Sequence, residues 1–176
     1  KPVLAPEFIT SEWFNADNAA KLADYRGKVV VVEVFQMLCP GCILHGIPLA
    51  QKIQRMFPAD QVAVVGLHSV FEHHAAMTPV SLNAFLQEFQ ITFPVAVDAA
   101  GEGHMPQTME AYQLRGTPSL LIIDQKGELQ AHYLGQVSEL QIGAEIATII
   151  ACDRSALGAH ASSENASGCE SGQCTV

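Results

Sequence analysis

The stretch Phe35–Ala50, FQMLCPGCILHGIPLA, contains two cysteines separated by two residues. It overlaps the end of the β-branched run Val29–Phe35 (VVVVEVF), which is long enough for a strand buried on both faces. From Pro40 to Met56, apolar residues recur at helical spacing. The cysteine pair therefore lies between a buried strand and a helix, with Cys39 at the start of the helix.

The position of the pair favours redox chemistry. Unpaired N–H groups and the positive end of the helix dipole stabilise a thiolate at a helix start, and they lower a cysteine pKa of about 8.5 by one to several units. Cys42 comes one turn later, closer to the core, where it can attack a mixed disulfide formed at Cys39. The alternatives are a structural disulfide or half of a zinc site. A tetrahedral zinc site needs two more ligands, and the sequence offers no second Cys/His pair at a suitable spacing.

Two further residues interrupt the patterns around them. Glu33 stands in an otherwise unbroken valine strand, six residues before Cys39, where burial should raise its pKa and make it a proton acceptor and donor near neutral pH. Thr117–Pro118 directly precedes the apolar run Ser119–Ile123, although proline cannot donate to a central ladder. A cis peptide at Thr117–Pro118 would place the proline at the strand entry and expose the Thr117 backbone.

Strand-like and helix-like patterns alternate along the rest of the chain. The further predicted strands are Val62–Leu67, Phe93–Val97, Ser119–Ile123 and Leu129–Leu134. The further predicted helices are Pro79–Phe89, Gln107–Gln113 and one from Ser138 to about Cys152. Strands joined by helical crossovers predict an α/β fold whose central sheet is largely parallel and ends in an antiparallel hairpin.

These motifs, taken in order, resemble the thioredoxin superfamily. The resemblance covers roughly residues 3–151, and the entry segment together with an extra helix and strand at about residues 78–97 is similar to the TlpA/ResA-like redoxins. It implies a thioredoxin-like fold, with a mixed central sheet flanked by helices, and thiol–disulfide oxidoreductase activity without a bound cofactor. By this resemblance Cys39 is the nucleophile, Cys42 the resolving thiol and Glu33 the buried acid/base. Thr117 and the cis-proline Pro118 flank the substrate cleft.

Two departures and two alternatives accompany this resemblance. Leu38 replaces the usual Trp, and Pro-Gly replaces the familiar Gly-Pro or Pro-Pro, so the redox potential does not carry over. A peroxiredoxin-like thiol peroxidase needs Pro and Thr six and three residues before its cysteine, where Glu33 and Gln36 stand. A Cu(I)-binding or delivery protein would need His73 or His74 of HSVFEHH to join Cys39 and Cys42.

Composition limits the partners. The net charge of −9 argues against nucleic acid and anionic lipid, and no apolar run approaches the ~20 residues of a membrane span. The expected partners are protein or small-molecule thiols and disulfides, with an upstream reductant or oxidant. No export signal is visible, which favours the cytoplasm. A periplasmic or other extracytoplasmic location is the alternative if a signal was removed, since the sequence begins at Lys1.

The C-terminal composition predicts a second region. Residues 1–152 are expected to form the thioredoxin-like domain and residues 153–176 a flexible Ser/Ala/Gly-rich tail containing Cys169 and Cys174. This tail is either incidental or a tethered dithiol that reaches the Cys39–Cys42 disulfide. Cys152, at the end of an apolar helix, is predicted to be a buried core thiol.

Overall fold

The computed structural model describes residues 3–16 and 20–164, so the predicted tail cysteines Cys169 and Cys174 lie outside the described residues. The strands are β1 (Thr10–Phe14), β2 (Val29–Phe35), β3 (Val62–His68), β4 (Val95–Asp98), β5 (Ser119–Ile123) and β6 (Leu129–Leu134). The α-helices are α1 (Ile47–Met56), α2 (Pro79–Glu88), α3 (Gln107–Ala111) and α4 (Glu139–Glu164). A 3₁₀ turn covers Leu22–Tyr25, and a π-helical turn, Cys42–Gly46, precedes α1.

The strands form one mixed sheet in the order β1-β4-β3-β2-β5-β6. Strands β2, β3 and β4 are parallel to one another, whereas β5 is antiparallel to β2 and β6 is antiparallel to β5. The predicted mixed sheet and its final antiparallel hairpin are confirmed, but the parallel part is limited to three strands. Strand β2 is central, so the residues that follow it emerge from the middle of the sheet.

Strand β2 is buried on both faces because both faces of the sheet are covered. Its seven residues are all buried. Val31 belongs to a core cluster with residues of α1, α2 and α4, whereas Val32 belongs to a second cluster with Leu22 and Met109 of α3. This arrangement explains why the run is continuously apolar instead of alternating.

Several elements differ from the sequence expectation. The predicted helix from Pro40 is interrupted by the π turn, because Pro48 has no N–H to donate within a regular α-helix. Strand β4 begins at Val95, after Pro94, which cannot donate to a ladder. Strand β1 was not predicted: it is a partly exposed edge strand paired with β4 in antiparallel orientation, with a register irregularity between Thr10 and Glu12.

The predicted burial of Cys152 is wrong. The buried face of α4 is formed by Ile142, Ile146 and Ile150, which recur at four-residue spacing. Cys152 follows Ile150 by two residues, so it points away from this face and is exposed. Helix α4 continues past Cys152 to Glu164, and the division into a domain and a tail stays a prediction.

A helix must be both long and apolar to span a membrane. Within residues 3–16 and 20–164, none of the helices is both long and apolar enough to cross a bilayer.

Candidate active site

The two cysteines occupy different environments at the end of β2. Cys39 is half-buried, Cys42 is buried, and both are free thiols. The backbone N–H of Cys39 donates to the Gln36 carbonyl at 3.1 Å, which closes a turn after β2. The N–H of Ile43 then donates to the Cys39 carbonyl at 3.2 Å, so the first helical turn begins at Cys39. The sequence prediction of a cysteine at a helix start is confirmed.

The surroundings of Cys39 favour its thiolate. Burial alone would raise the pKa of Cys39, but hydrogen bonds to the Cys42 thiol, to the N–H groups of Gly41 and Cys42 and to the Thr117 side chain outweigh burial and lower the pKa. Hydrogen bonds that donate to the charged form of an acid have this effect. A half-buried thiolate is both available to solvent and nucleophilic, which is the combination that disulfide exchange requires.

The surroundings of Cys42 favour the neutral thiol. Burial is the largest cause and raises the pKa of Cys42, and the neighbouring Cys39 raises it further. The Gln36 N–H acts in the opposite direction, but burial dominates. The pair is therefore asymmetric, with an accessible thiolate before a buried thiol.

Thr117 and Pro118 pack against the cysteine motif. Their peptide bond is cis, as predicted. The Cys39 thiol lies 3.5 Å from the Thr117 carbonyl oxygen and donates to it, whereas in the thiolate form the sulfur accepts from the Thr117 side chain. A Cβ atom at Gly41 would lie 3.1 Å from Pro118 Cδ, so the proline ring lies directly against the motif.

Glu33 is buried near the motif, as predicted. It pairs with Gly66 of β3 and Leu120 of β5 in the centre of the sheet, and only 1% of it is exposed. Its Oε1 atom has no hydrogen-bond partner among the described residues. Burial, and secondarily the charge of Cys39, raise the pKa of Glu33 well above the usual value of 4.5.

The Glu33 carboxyl group packs against Gly46, the last residue of the π turn. A Cβ atom at Gly46 would overlap the Glu33 carboxyl group and would lie 3.0 Å from Pro118 Cβ. Glu33 and Gly46 also line a cavity of about 120 Å³ that extends to the Lys52–Glu139 ion pair. Since about 10–15 Å³ of this kind of space holds one water molecule, the cavity has room for water beside Glu33.

Residues 4–132 match the AhpC/TSA family. The chain belongs to this family. This AhpC/TSA chain is also similar to a solved thioredoxin-like superfamily protein, to which it is 64% identical. The match covers 84% of this chain and 96% of that protein, with a TM-score of 0.83.

Two further similar proteins are thiol–disulfide enzymes by name. A solved thiol–disulfide isomerase from Corynebacterium glutamicum is 51% identical, and the match covers 83% of the AhpC/TSA chain and 96% of that protein, with a TM-score of 0.79. The thiol–disulfide oxidoreductase ResA of Geobacillus kaustophilus is 22% identical over 145 residues, covering 82% of this chain and 75% of ResA. The AhpC/TSA chain is thus a TlpA/ResA-like member of the thioredoxin superfamily, with its fold, and an enzyme of the thiol–disulfide oxidoreductase class.

The geometry does not support the two alternatives from the sequence. Glutamine has no hydroxyl group to offer a peroxide, and the Gln36 side chain, at the peroxiredoxin threonine position, is buried and accepts from the Phe71 N–H instead. Among the described residues, no three His, Cys, Asp or Glu side chains are grouped closely enough to hold a metal ion. His73 and His74 are thus not grouped with Cys39 and Cys42 in the part of the chain that the structure describes.

The sequence analysis did not identify Gly46, whose missing side chain lets Glu33 and Pro118 pack closely in this AhpC/TSA site. Its dihedral angles are ordinary for a right-handed helix, with φ −64° and ψ −57°, so conformational freedom does not explain the glycine. The explanation is the close approach of Glu33 and Pro118. A sequence signal existed, because Gly46 is a glycine inside the predicted helix Pro40–Met56, two positions before Pro48.

Gly46→Ala is expected to destabilise the AhpC/TSA chain by about 1–3 kcal/mol, the usual cost of overpacking a core. The added methyl group would displace the Glu33 carboxyl group or push the π turn away from Pro118. Chemical denaturation of the reduced protein measures the change.

Gly143→Ala is the matched control for Gly46→Ala. At Gly143 in α4 no described atom beyond its own helical backbone and immediate neighbours lies within 4 Å of the added Cβ atom. Alanine should therefore stabilise this helix by roughly 0.5–1 kcal/mol relative to glycine. Equal stability changes for the two variants would contradict the close packing of Glu33 on Gly46.

Proposed function

We propose that the chain exchanges disulfides with protein or small-molecule thiols through Cys39 and Cys42. The observation that carries this proposal is the asymmetry of the pair: Cys39 is half-buried with a lowered pKa, whereas Cys42 is buried with a raised pKa. An accessible thiolate is the group that attacks, and a buried thiol is protected until a mixed disulfide forms beside it.

In the reducing direction, the Cys39 thiolate attacks one sulfur of a substrate disulfide. The substrate S–S bond breaks, a Cys39–substrate disulfide forms, and the released substrate thiolate takes a proton. Cys42 then loses its proton and attacks Cys39, which releases the second substrate thiol and leaves a Cys39–Cys42 disulfide. Two electrons pass from the enzyme to the substrate. The oxidising direction is the reverse sequence, and an upstream reductant or oxidant restores the starting state.

Glu33 is the proposed acceptor and donor of the Cys42 proton. Burial raises its pKa well above the usual value of 4.5, so the carboxyl group holds a proton at a higher pH than an exposed glutamate does, as a proton donor requires. The cavity beside Glu33 provides space for water between the carboxyl group and the Lys52–Glu139 pair at the surface. The two thiols and this carboxyl group are sufficient for the exchange, so the proposal requires no bound cofactor.

Thr117 and Pro118 are the proposed substrate-binding residues. The Thr117 carbonyl lies 3.5 Å from the Cys39 sulfur, so a substrate sulfur bonded to Cys39 must lie beside the Thr117 backbone. Two apolar side chains in this region are exposed: Leu38, which precedes Cys39, and Leu134, which pairs with Ser119. These surfaces suit an apolar segment next to the substrate cysteine.

The test is a redox titration of the full chain against glutathione buffers, read by alkylation and mass spectrometry of the cysteine-containing peptides. We expect a Cys39–Cys42 disulfide that forms and breaks reversibly, with a potential between about −270 and −120 mV, the range of this class of enzymes. Persistence of both thiols under oxidising buffer, or pairing of Cys39 mainly with another cysteine, would contradict the proposal.

The compartment stays a prediction. The cytoplasm, with an extracytoplasmic location as the alternative, is tested by fractionating cells that express the complete gene product. The role of the tail cysteines Cys169 and Cys174 also stays a prediction, and a chain truncated after Glu164, where α4 ends, tests whether they speed turnover.

A further inference from the structure

The turn that presents Cys39 is hydrogen-bonded to His68, at the end of β3, and to the segment that follows β3. The turn spans Gln36–Cys39 and is closed by the hydrogen bond from the Cys39 N–H to the Gln36 carbonyl, at 3.1 Å. Its two central residues differ, since Met37 is 5% exposed and Leu38 is 53% exposed. One side of the turn therefore faces solvent, and the other packs on the protein.

His68 bonds directly to this turn. The Met37 N–H donates to His68 Nε2 at 3.2 Å, and both residues are buried. His68 is the last residue of β3, opposite Phe35 in the register, and the centroids of these two rings are 5.2 Å apart. Because Nε2 accepts, the imidazole is neutral with its proton on Nδ1. Burial lowers the pKa of His68 to about 4, so this acceptor persists at neutral pH.

The side chain of Gln36 connects the turn to the segment after β3. Its Oε1 accepts from the Phe71 N–H at 3.1 Å, and its Nε2 donates to Glu72 at 3.4 Å. One buried glutamine thus connects the Cys39 N–H, through its backbone carbonyl, to the segment after β3, through its side chain.

We propose that His68 and Gln36 are positioning residues, which hold the Gln36–Cys39 turn so that the Cys39 sulfur meets the donors that stabilise its thiolate. The inference rests on the proposed function, for which Cys39 is the nucleophile. Those donors are the N–H groups of Gly41 and Cys42 and the side chains of Cys42 and Thr117. Hydrogen bonds to a thiolate depend on distance and direction, so a turn that loses His68 loses part of this stabilisation.

Packing alone would not need an imidazole at this position. His68 is 1% exposed and lies against Phe35, so an aromatic hydrocarbon would pack there without the cost of burying a polar ring. The feature that phenylalanine lacks is the acceptor for the Met37 N–H. His68→Phe removes that acceptor, whereas His68→Gln keeps a polar atom near the position of Nε2.

The experiment measures the pKa and the alkylation rate of Cys39 in the full chain, by mass spectrometry of its peptide after iodoacetamide pulses at several pH values. In His68→Phe we expect a raised Cys39 pKa and an alkylation rate at pH 7 that is lower by about three- to fivefold, because the loss of thiolate exceeds the gain in nucleophilicity. In His68→Gln the rate should stay within about twofold of the wild type. Gln36→Leu should act in the same direction as His68→Phe.

Ser69→Ala is the matched control for a general effect on this segment. Ser69 is buried, and its hydroxyl donates to Asp98 at 2.9 Å, away from the turn. Its removal should lower stability without changing the Cys39 pKa. If His68→Phe behaves like Ser69→Ala, with lower stability and an unchanged Cys39 pKa, the proposal is wrong. If His68→Phe does not fold, His68→Asn decides the question, because its shorter amide does not reach Met37.

The measurement separates this inference from the proposed function. Alkylation of Cys39 requires no turnover, so its pKa can be compared among variants even if the wild type exchanges no disulfides. Conversely, normal exchange by the wild type together with an unchanged Cys39 pKa in His68→Phe would overturn only the inference.

Discussion

Replacing Cys39 with serine is expected to abolish disulfide exchange, so that Cys39→Ser reduces insulin no faster than the dithiol reductant does alone. A serine hydroxyl does not ionise near neutral pH, and the hydrogen bonds that lower the Cys39 pKa therefore have no thiolate to stabilise. Turbidity from insulin reduction measures the rate. Undiminished activity in Cys39→Ser would remove the basis of the site assignment.

Cys42→Ser is expected to give a different outcome from Cys39→Ser. The nucleophile remains, but the mixed disulfide cannot be resolved within the motif, so Cys39 should accumulate in a covalent complex with its substrate. Mass spectrometry after mixing with a peptide disulfide measures this adduct. Cys152→Ser is the matched control, because Cys152 is an exposed thiol on α4 outside the motif, and we expect it to retain full activity without the adduct.

Glu33→Gln is expected to lower turnover at neutral pH by on the order of 10²-fold, the usual contribution of a general acid–base group. The amide has nearly the same shape as the carboxyl group but cannot take up the Cys42 proton. The expected loss is in the resolution step, so single-turnover mixing should show a mixed disulfide that forms at a near-normal rate and decays slowly. Loss of the first step alone would contradict the proposed role.

The same variant is expected to be more stable than the wild type at high pH. Because the folded-state pKa of Glu33 is raised, the fold is more stable with Glu33 protonated than with Glu33 ionised. This contribution to stability is present at low pH and is lost as the pH rises from about 4.5 through the folded-state pKa. Glutamine does not titrate. Thermal unfolding should therefore show a larger advantage for Glu33→Gln at pH 8 than at pH 4.5.

Two precautions isolate this effect of Glu33. The comparison belongs in a Cys39→Ser background, because the charge of Cys39 also raises the Glu33 pKa. Glu88→Gln, at the exposed end of α2, removes one negative charge without changing the core. If both glutamine variants show the same pH dependence, the effect comes from net charge instead of burial.

Much of this architecture could be predicted because its signals are local. Strand β2 follows the pattern of a buried strand, because it is a run of valines. Glu33 and Pro118 each break such a pattern: Glu33 interrupts the valines, and Pro118 stands where a central strand should begin. The starts of α2 and α4 depend on local hydrogen bonds as well: Thr78 accepts from the Ser81 N–H, and Ser138 accepts from the Gln141 N–H. Such local patterns need no knowledge of the remainder of the fold.

The features that were missed depend on distant partners. Strand β1 is short and partly exposed, and only its pairing with β4 makes it a strand. The histidines of HSVFEHH suggested metal binding, whereas the first of them, His68, is the last residue of β3 and bonds to Met37, which is 31 positions away in the chain. Cys152 looked like a core residue because its neighbours are apolar, but the helical phase set by Ile142, Ile146 and Ile150 turns it outwards.

The π turn at Cys42–Gly46 has a consequence for engineering. Each residue of a helix adds about 100° of rotation, so the wider turn offsets the cysteine end of the helix from the regular phase of α1. The four residues Cys-Pro-Gly-Cys are therefore not a portable module. A graft onto another scaffold should carry residues 36–48 as one block, from the turn through the offset to Pro48, and should supply a counterpart of Glu33. A host helix without the offset would present the same four residues at a different angle to its sheet.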